Sequence, residues 1–240
     1  MLYILINDYI LKVKKNKKYS FPENREGLDI GCGYNLIDSF IGLDGNFLIY
    51  LMKKKLPRII KEKIYNKTST SKIFPFENFF EVILPKKIIH HKILFGIPFE
   101  NCTVPNIFTS HFIEHLTKEQ GEKFLEECYR VLKIKGILRI VCPDLDKEIA
   151  IIKKDLIKYQ QDRISEPVQK YVTTEIITNT KNYNKFSSHR HSYSFEELKS
   201  ILLKIGFKDI VQHKYQSGKI PYVKELDRTK RLSLFLEAIK

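Results

Sequence analysis

Gly27-Leu28-Asp29-Ile30-Gly31-Cys32-Gly33 is the stretch on which the fold turns. It is a short apolar run that stops at a G-x-G turn, the pattern of a buried strand entering a tight loop. The next apolar run, Phe40-Ile41-Gly42-Leu43-Asp44, reads as a second strand that ends on a carboxylate. Glycines such as Gly31 and Gly33 let the backbone approach a ligand closely and adopt dihedral angles that a side chain forbids. A carboxylate beside that loop is placed to accept hydrogen bonds from ribose hydroxyls, the geometry that dinucleotide sites also use. The dinucleotide fingerprint itself wants G-x-G-x-x-G and an acid roughly 20 residues further on. Position 36 is Leu and Asp44 comes sooner, so NAD is disfavoured.

Outward from the loop, strand and helix signals alternate. Residues 47–66 mix apolar and basic side chains, with Pro57 as a boundary, and read as part of a helical insertion over about 46–80. Ile83-Leu84 and Ile88-Ile89 are taken as β-branched-rich fragments near the next strand, and Asn106-Ile107-Phe108-Thr109-Ser110 as another. Thr117 and Gln120 form an S/T-x-x-E/Q capping box. Phe124, Leu125, Cys128 and Leu132 then mark one helix face, which Gly136 is expected to end. Ile137 to Cys142 reads as a strand stopped by Pro143. A second box, Ser194 to Glu197, opens a helix through Leu198, Ile201, Leu202 and Ile205 that stops at Gly206, and Val211 and Leu232–Ile239 supply the last strands. This alternation predicts an α/β fold with a doubly wound, mostly parallel sheet. Residues 145–190 lack a clean period and are expected to form one helix plus a variable segment over the sheet's carboxyl edge, where substrates sit in such folds.

The chain has 240 residues, 43% of them hydrophobic, enough for one α/β domain with its own core. Cys32, Cys102, Cys128 and Cys142 are scattered without a C-x-x-C pair, which points to reduced thiols and a cytoplasmic compartment. The apolar opening Met1 to Ile6 is broken by Asn7 and Asp8, and its lysines follow it, so it does not read as a signal peptide. No uncharged apolar run reaches transmembrane length. The net charge of +14 leaves nucleic acid open as a partner, but the lysines are spread through a Lys-, Ile- and Asn-rich chain and no binding signature accompanies them. A weak attraction to anionic membrane surfaces is equally compatible with that charge.

Taken in order, several segments resemble the motifs of class I S-adenosylmethionine (SAM)-dependent methyltransferases. They are Leu28 to Gly33, Ile41 to Gly45, Gly96-Ile97-Pro98-Phe99, Ser110 to Leu116, Glu127 to Lys133, Leu138 to Leu145 and Arg231 to Ala238. These motifs resemble those of small bacterial proteins of the methyltransferase type 11-like family, often associated with surface-glycan and secondary biosynthesis. The resemblance spans roughly residues 27–145 and 189–240, leaving 1–26 as an N-terminal extension. It implies a Rossmann-like, seven-stranded sheet with helices on both faces and an antiparallel C-terminal strand. It further implies that Gly31, Cys32 and Gly33 hold the methionine moiety of SAM, with Asp29 near its amino group and Asp44 on the ribose. Ser110, Glu114 and His115 would line the pocket. Three positions depart from the family: Asn35, Lys92 and Pro105 stand where a glycine, an acid or amide, and an acid are usual.

His111, Glu114 and His115 share one face if their segment makes a helical turn. H-x-x-E-H is also an inverted zinc-protease pattern, but that needs a long helix, whereas this segment lies between a strand and a helix capped at Thr117. In one reading Glu114 and His115 shape the pocket wall and His111 faces substrate as general base, with His189 or His191 next in line. In the other, His111, Glu114 and His115 bind a metal with a distant partner, His189 or His191. That arrangement resembles metal-dependent small-RNA 2′-O-methyltransferases and some quinone-pathway O-methyltransferases. Three His and one carboxylate would suit a transition metal. The resemblance favours a sugar, glycan or small-metabolite hydroxyl as acceptor. RNA methylation, or a SAM-binding pseudo-enzyme acting through protein contacts, are the alternatives. No interface pattern fixes an oligomeric state.

Overall fold

A computed structural model describes residues 2–72, 74–162, 189–230 and 232–240. The elements run α1 (Leu2–Val13), β1 (Gly27–Ile30), β2 (Phe40–Asp44), α2 (Phe47–Met52), α3 (Arg58–Tyr65), α4 (Phe76–Ile83), β3 (Ile88–His90), β4 (Val104–Ser110), α5 (Lys118–Val131), β5 (Leu132–Pro143), α6 (Leu145–Asp162), α7 (Phe195–Ile205), β6 (Lys208–His213), α8 (Val223–Leu226) and β7 (Ser233–Ile239). The strands form a seven-stranded sheet in the order β3-β2-β1-β4-β5-β7-β6. β1 to β5 are parallel, and β7 runs antiparallel between β5 and β6. The fold is the expected Rossmann-like, doubly wound one. Of the expected variable segment, α6 is seen, and 163–188 lie outside the described residues.

Two apolar layers sandwich the sheet. One joins Leu28, Ile30, Ile107 and Ile140 to Phe124, Leu125 and Cys128 of α5 and to Leu198 and Leu202 of α7. The other joins Phe40, Phe108, Val141 and Phe235 to Leu48 and Met52 of α2 and Phe79 and Ile83 of α4. Helix boundaries follow local chemistry. Thr117 and Gln120 make both bonds of the predicted capping box, and Gly206 closes α7 in the left-handed conformation.

The structure corrects three expectations. Ile83-Leu84 is the end of α4, not strand: Phe76, Phe79 and Ile83 recur at helical spacing and are buried. Leu132 is the first residue of β5, and the strand passes straight through Gly136. Pairing of Leu132 with Val104 draws it out of α5, and Gly136 serves instead where the carbonyl of Pro105 comes close enough to collide with any Cβ. Finally, the second box is half made. Ser194 accepts from the Glu197 N–H, while the Glu197 carboxylate turns to Lys118 and His191, each at 3.0 Å.

Antiparallel insertion of β7 matters for the site. Its first residue, Ser233, pairs with Pro143 at the last residue of β5. The start of β7 and the segment before it therefore arrive at the edge where β1, β2 and β4 end.

Candidate functional site

At that carboxyl edge β1 and β2 end side by side, with Ile30 paired to Leu43. The loop after β1 bends back at Gly31 (φ 70°) and Gly33 (φ 53°), both left-handed angles that disfavour an L side chain. The ring of Phe112 packs over Gly31, whereas the space above Gly33 is open. The Gly33 N–H donates to Asp44 Oδ2 at 2.9 Å, and the Asn46 N–H to Oδ1 at 2.7 Å. Each oxygen keeps acceptor capacity, because an ionised carboxylate offers about four lone-pair sites. Burial pushes the Asp44 pKa up, and the two backbone N–H groups oppose that. Asn46 also caps α2 by accepting from the Leu48 N–H.

Asp29 is buried within β1 at 1% exposure, and its pKa is raised to about 7. Desolvation is the main cause, with the nearby Asp44 adding to it and Arg228 opposing it. Arg228 Nη2 stands 3.5 Å from Asp29 Oδ2. Cys32 is buried against Gly42, and burial together with Asp29 and Asp44 pushes its thiol well up, so it stays protonated and inert.

His111 follows Ser110, the last residue of β4, and is held at φ 49°, an uncommon angle for a non-glycine residue. Its N–H donates to the Val141 carbonyl at 2.8 Å. Nδ1 lies 3.2 Å from Glu114 Oε1 and Nε2 3.3 Å from the Ser233 hydroxyl; in the neutral tautomer that donates Nδ1–H to the carboxylate, Nε2 is left as an acceptor. Glu114 and His115 lie in a short 3-10 turn, Ile113–His115. Glu114 is 1% exposed, and among the described residues neither its Oε2 nor the buried Nδ1 of His115 has a hydrogen-bond partner. The Arg190 N–H donates to the Glu114 carbonyl at 2.7 Å, pinning the 189–191 segment to this turn. As a result the His189 and His115 rings lie 5.3 Å apart, and one ligand atom each from Glu114, His115 and His189 falls within 4.8 Å of the others.

Not every residue singled out by sequence lands at the centre. His191 Nε2 engages Glu197 and its ring packs on Tyr193. His111 belongs to a Glu114–His111–Ser233 chain instead of the cation cluster. Lys92 pairs with Asp8, and Pro105 lies inside β4. His90 and His91 bond separately, to Asn7 and to the Gly96 carbonyl. Nothing local in the sequence marks Arg228, and Phe112 and Ser233, though inside motif-like segments, carry no signal that singles them out as site residues. A cavity between α5 and α7, lined by residues including Glu122, Tyr129 and Lys204, touches none of the loop residues.

Neither a family model nor a curated protein matches the chain. Among solved structures it is similar to a SAM-dependent methyltransferase of Archaeoglobus fulgidus, at 17% identity and TM-score 0.44, covering 99% of this chain and 94% of that one. A SAM-dependent methyltransferase of Thermotoga maritima gives 17% and 0.45, covering 99% and 97%. One from Aquifex aeolicus gives 16% and 0.41, covering 97% and 88%. At these values the likeness assigns no activity, and the fold rests on the strand order itself.

Proposed function

We propose that this chain is a SAM-dependent methyltransferase acting on a hydroxyl of a sugar, glycan or small metabolite, in the cytoplasm. The observation that carries the reading is the Gly33–Asp44 contact at the ends of adjacent parallel strands. It joins an open glycine cradle to a carboxylate with acceptor capacity to spare. This fits the cofactor: Gly31, Cys32 and Gly33 would receive the methionine part, Asp29 its ammonium and Asp44 the ribose hydroxyls. Ser110, Glu114 and His115 would wall the pocket. When bound, SAM supplies an electrophilic methyl on a neutral leaving group, so the protein's task is mostly alignment. His111 Nε2, oriented by Glu114 through Nδ1, would take the acceptor's proton once substrate displaces the Ser233 hydroxyl. His189, whose ring lies 5.3 Å from that of His115, is the next candidate for that role.

The test is calorimetric titration with SAM and S-adenosylhomocysteine of the wild type and Asp44→Ala. Saturable binding that the variant loses supports the reading, and no binding by folded, metal-analysed wild type overturns it. His111→Ala should lower turnover while leaving SAM affinity unchanged; intact turnover would remove the base assignment.

A metal-assisted version has its own support in Glu114 Oε2 and His115 Nδ1, which lie beside His189 and have no hydrogen-bond partner among the described residues. Two imidazoles and a carboxylate suit a transition cation with open positions. His111 would then steer Glu114 without binding the ion. Cobalt(II) added to metal-free protein should give a visible absorption band that His189→Ala abolishes. A band unchanged in the variant, or none, removes this version without touching the SAM site.

A further inference from the structure

We infer that the outer face of α1, with the lysine cluster that follows it, docks on the surface of an anionic lipid bilayer. Two features side by side carry this, and neither involves the glycine loop. The first is the orientation of α1. Asn7 faces inward, donating to the Gly45 carbonyl at 3.0 Å and bonding His90 at 2.8 Å, and Leu11 is buried. At the helical period the opposite face carries Leu5, Tyr9 and Val13, which are 63%, 69% and 69% exposed. Lys12 lies on the same side. An apolar stripe on the solvent side of a surface helix buries nothing within the fold, and large exposed apolar side chains in a row mark an interaction surface.

The second feature is the charge placed at the carboxyl end of that stripe. Lys14 and Lys54 both sit against the Tyr50 ring, 4.2 and 4.5 Å from its centroid. Beyond α1, Lys15, Lys17 and Lys18 line a cavity of about 210 Å³ together with residues that include Phe95, Gly96, Ile97 and Pro98. Glu127 also reaches it, but its carboxylate is engaged by Arg130 and the Ile97 N–H. The lysines crowd one another: Lys54 and Lys17, after burial, lower the Lys14 pKa. Such crowding calls for an anionic counterpart. A helix lying in the interface with its apolar stripe toward the acyl boundary, flanked by lysines at headgroup level, answers both features at once. The cavity would seat a lipid phosphate. A single soluble anion would satisfy the lysines and leave Leu5, Tyr9 and Val13 in water.

The experiment is co-sedimentation of the full chain with phosphatidylcholine vesicles, with and without phosphatidylglycerol, at low and high salt. Binding is expected only with phosphatidylglycerol and should weaken as salt rises. Lys15→Ala and Lys17→Ala should each weaken it about fivefold, the effect of one lysine near an anionic surface. Leu5→Asp/Tyr9→Asp should abolish it with an unchanged circular dichroism spectrum, because these side chains contribute nothing to the core. Four results overturn the inference: no vesicle binding, equal binding to neutral vesicles, binding indifferent to Leu5→Asp/Tyr9→Asp, or competition by millimolar inorganic phosphate alone. A concentration-dependent dimer that Tyr9→Asp dissolves, without vesicle binding, would reassign the stripe to self-association.

Discussion

Replacing Asp29 by asparagine should make the protein more stable, and by an amount that grows with pH. The Asp29 carboxyl is buried in β1 and titrates near 7 in the folded chain, against 3.8 for the ordinary group. Between those values the folded state holds a proton that the unfolded state has released, so stability falls as pH rises. Above the folded value the loss is complete. Integrating the two titration curves gives a cost of about 2 kcal/mol at pH 5 and about 4 kcal/mol at pH 8. The amide introduced by Asp29→Asn never ionises and escapes this cost. The stability advantage of Asp29→Asn over wild type should therefore widen by about 2–3 kcal/mol from pH 5 to pH 8. His90, held down near 4 by burial and Lys14, shifts stability the opposite way below its ordinary value of 6.5. Both proteins share that effect, so the difference between them isolates Asp29. Urea unfolding followed by circular dichroism at the two pH values reads it directly. A difference independent of pH would mean that Arg228 holds Asp29 ionised throughout, and the desolvation argument would fail. The same logic applies to the proposed cofactor. An ammonium group arriving beside Asp29 favours its charged form, so binding near pH 6.5 should release a proton, seen as a binding enthalpy that varies with buffer.

Three other perturbations test the framework. Gly31→Ala and Gly33→Ala both place an L residue at positive φ, but only the first drives a Cβ into the Phe112 ring; Gly31→Ala should therefore be less stable than Gly33→Ala by about 1–3 kcal/mol in urea unfolding. Arg139 is fully buried between Asp227 at 2.5 Å and Glu237 at 3.0 Å, so Arg139→Met should cost about 3–5 kcal/mol by stranding two carboxylates, and a loss below about 1 kcal/mol would show that they find other partners. Thr117→Ala removes the hydroxyl that caps α5 and should cost about 1 kcal/mol, measured as a fall in the urea midpoint.

What could be read from the sequence was local. Gly31, Gly33 and Asp44 announce a strand-loop-strand unit within a few residues, and Thr117, Gln120 and Gly206 mark helix ends by chemistry confined to one turn. Misreadings arose where distant pairing decides. Leu132 continues the apolar face of α5 in sequence, yet Val104 of β4 claims it for the sheet. Glu197 has the spacing of a capping-box acid, yet Lys118 and His191 supply better electrostatic partners than a backbone N–H. Ile83 is β-branched, but its spacing from Phe76 and Phe79 was the stronger signal. The histidine cluster was legible as Glu114 and His115. The division of labour between His111 and His189 was not, because it depends on the Arg190 N–H bond to the Glu114 carbonyl.

Arg228 has the same origin and explains why one edge of the sheet gathers the chemistry. A parallel sheet with helices crossing over it brings the ends of β1, β2 and β4 together, which accounts for Gly31, Asp44 and Ser110. Those strands alone would leave Asp29 buried with no cation and His111 without the Ser233 hydroxyl. Because β7 runs antiparallel, the segment ahead of it descends onto this edge and delivers Arg228 to Asp29 and Ser233 to His111. Arg139 anchors that descent: it spans from β5 to Asp227, immediately before Arg228, and to Glu237 across the strand pair. A buried charge network is costly to assemble, and replacing it by apolar side chains is often neutral or stabilising. Its position suggests what the cost obtains, which is the register of β7 and, with it, the placement of Arg228 beside a carboxyl group poised to change charge.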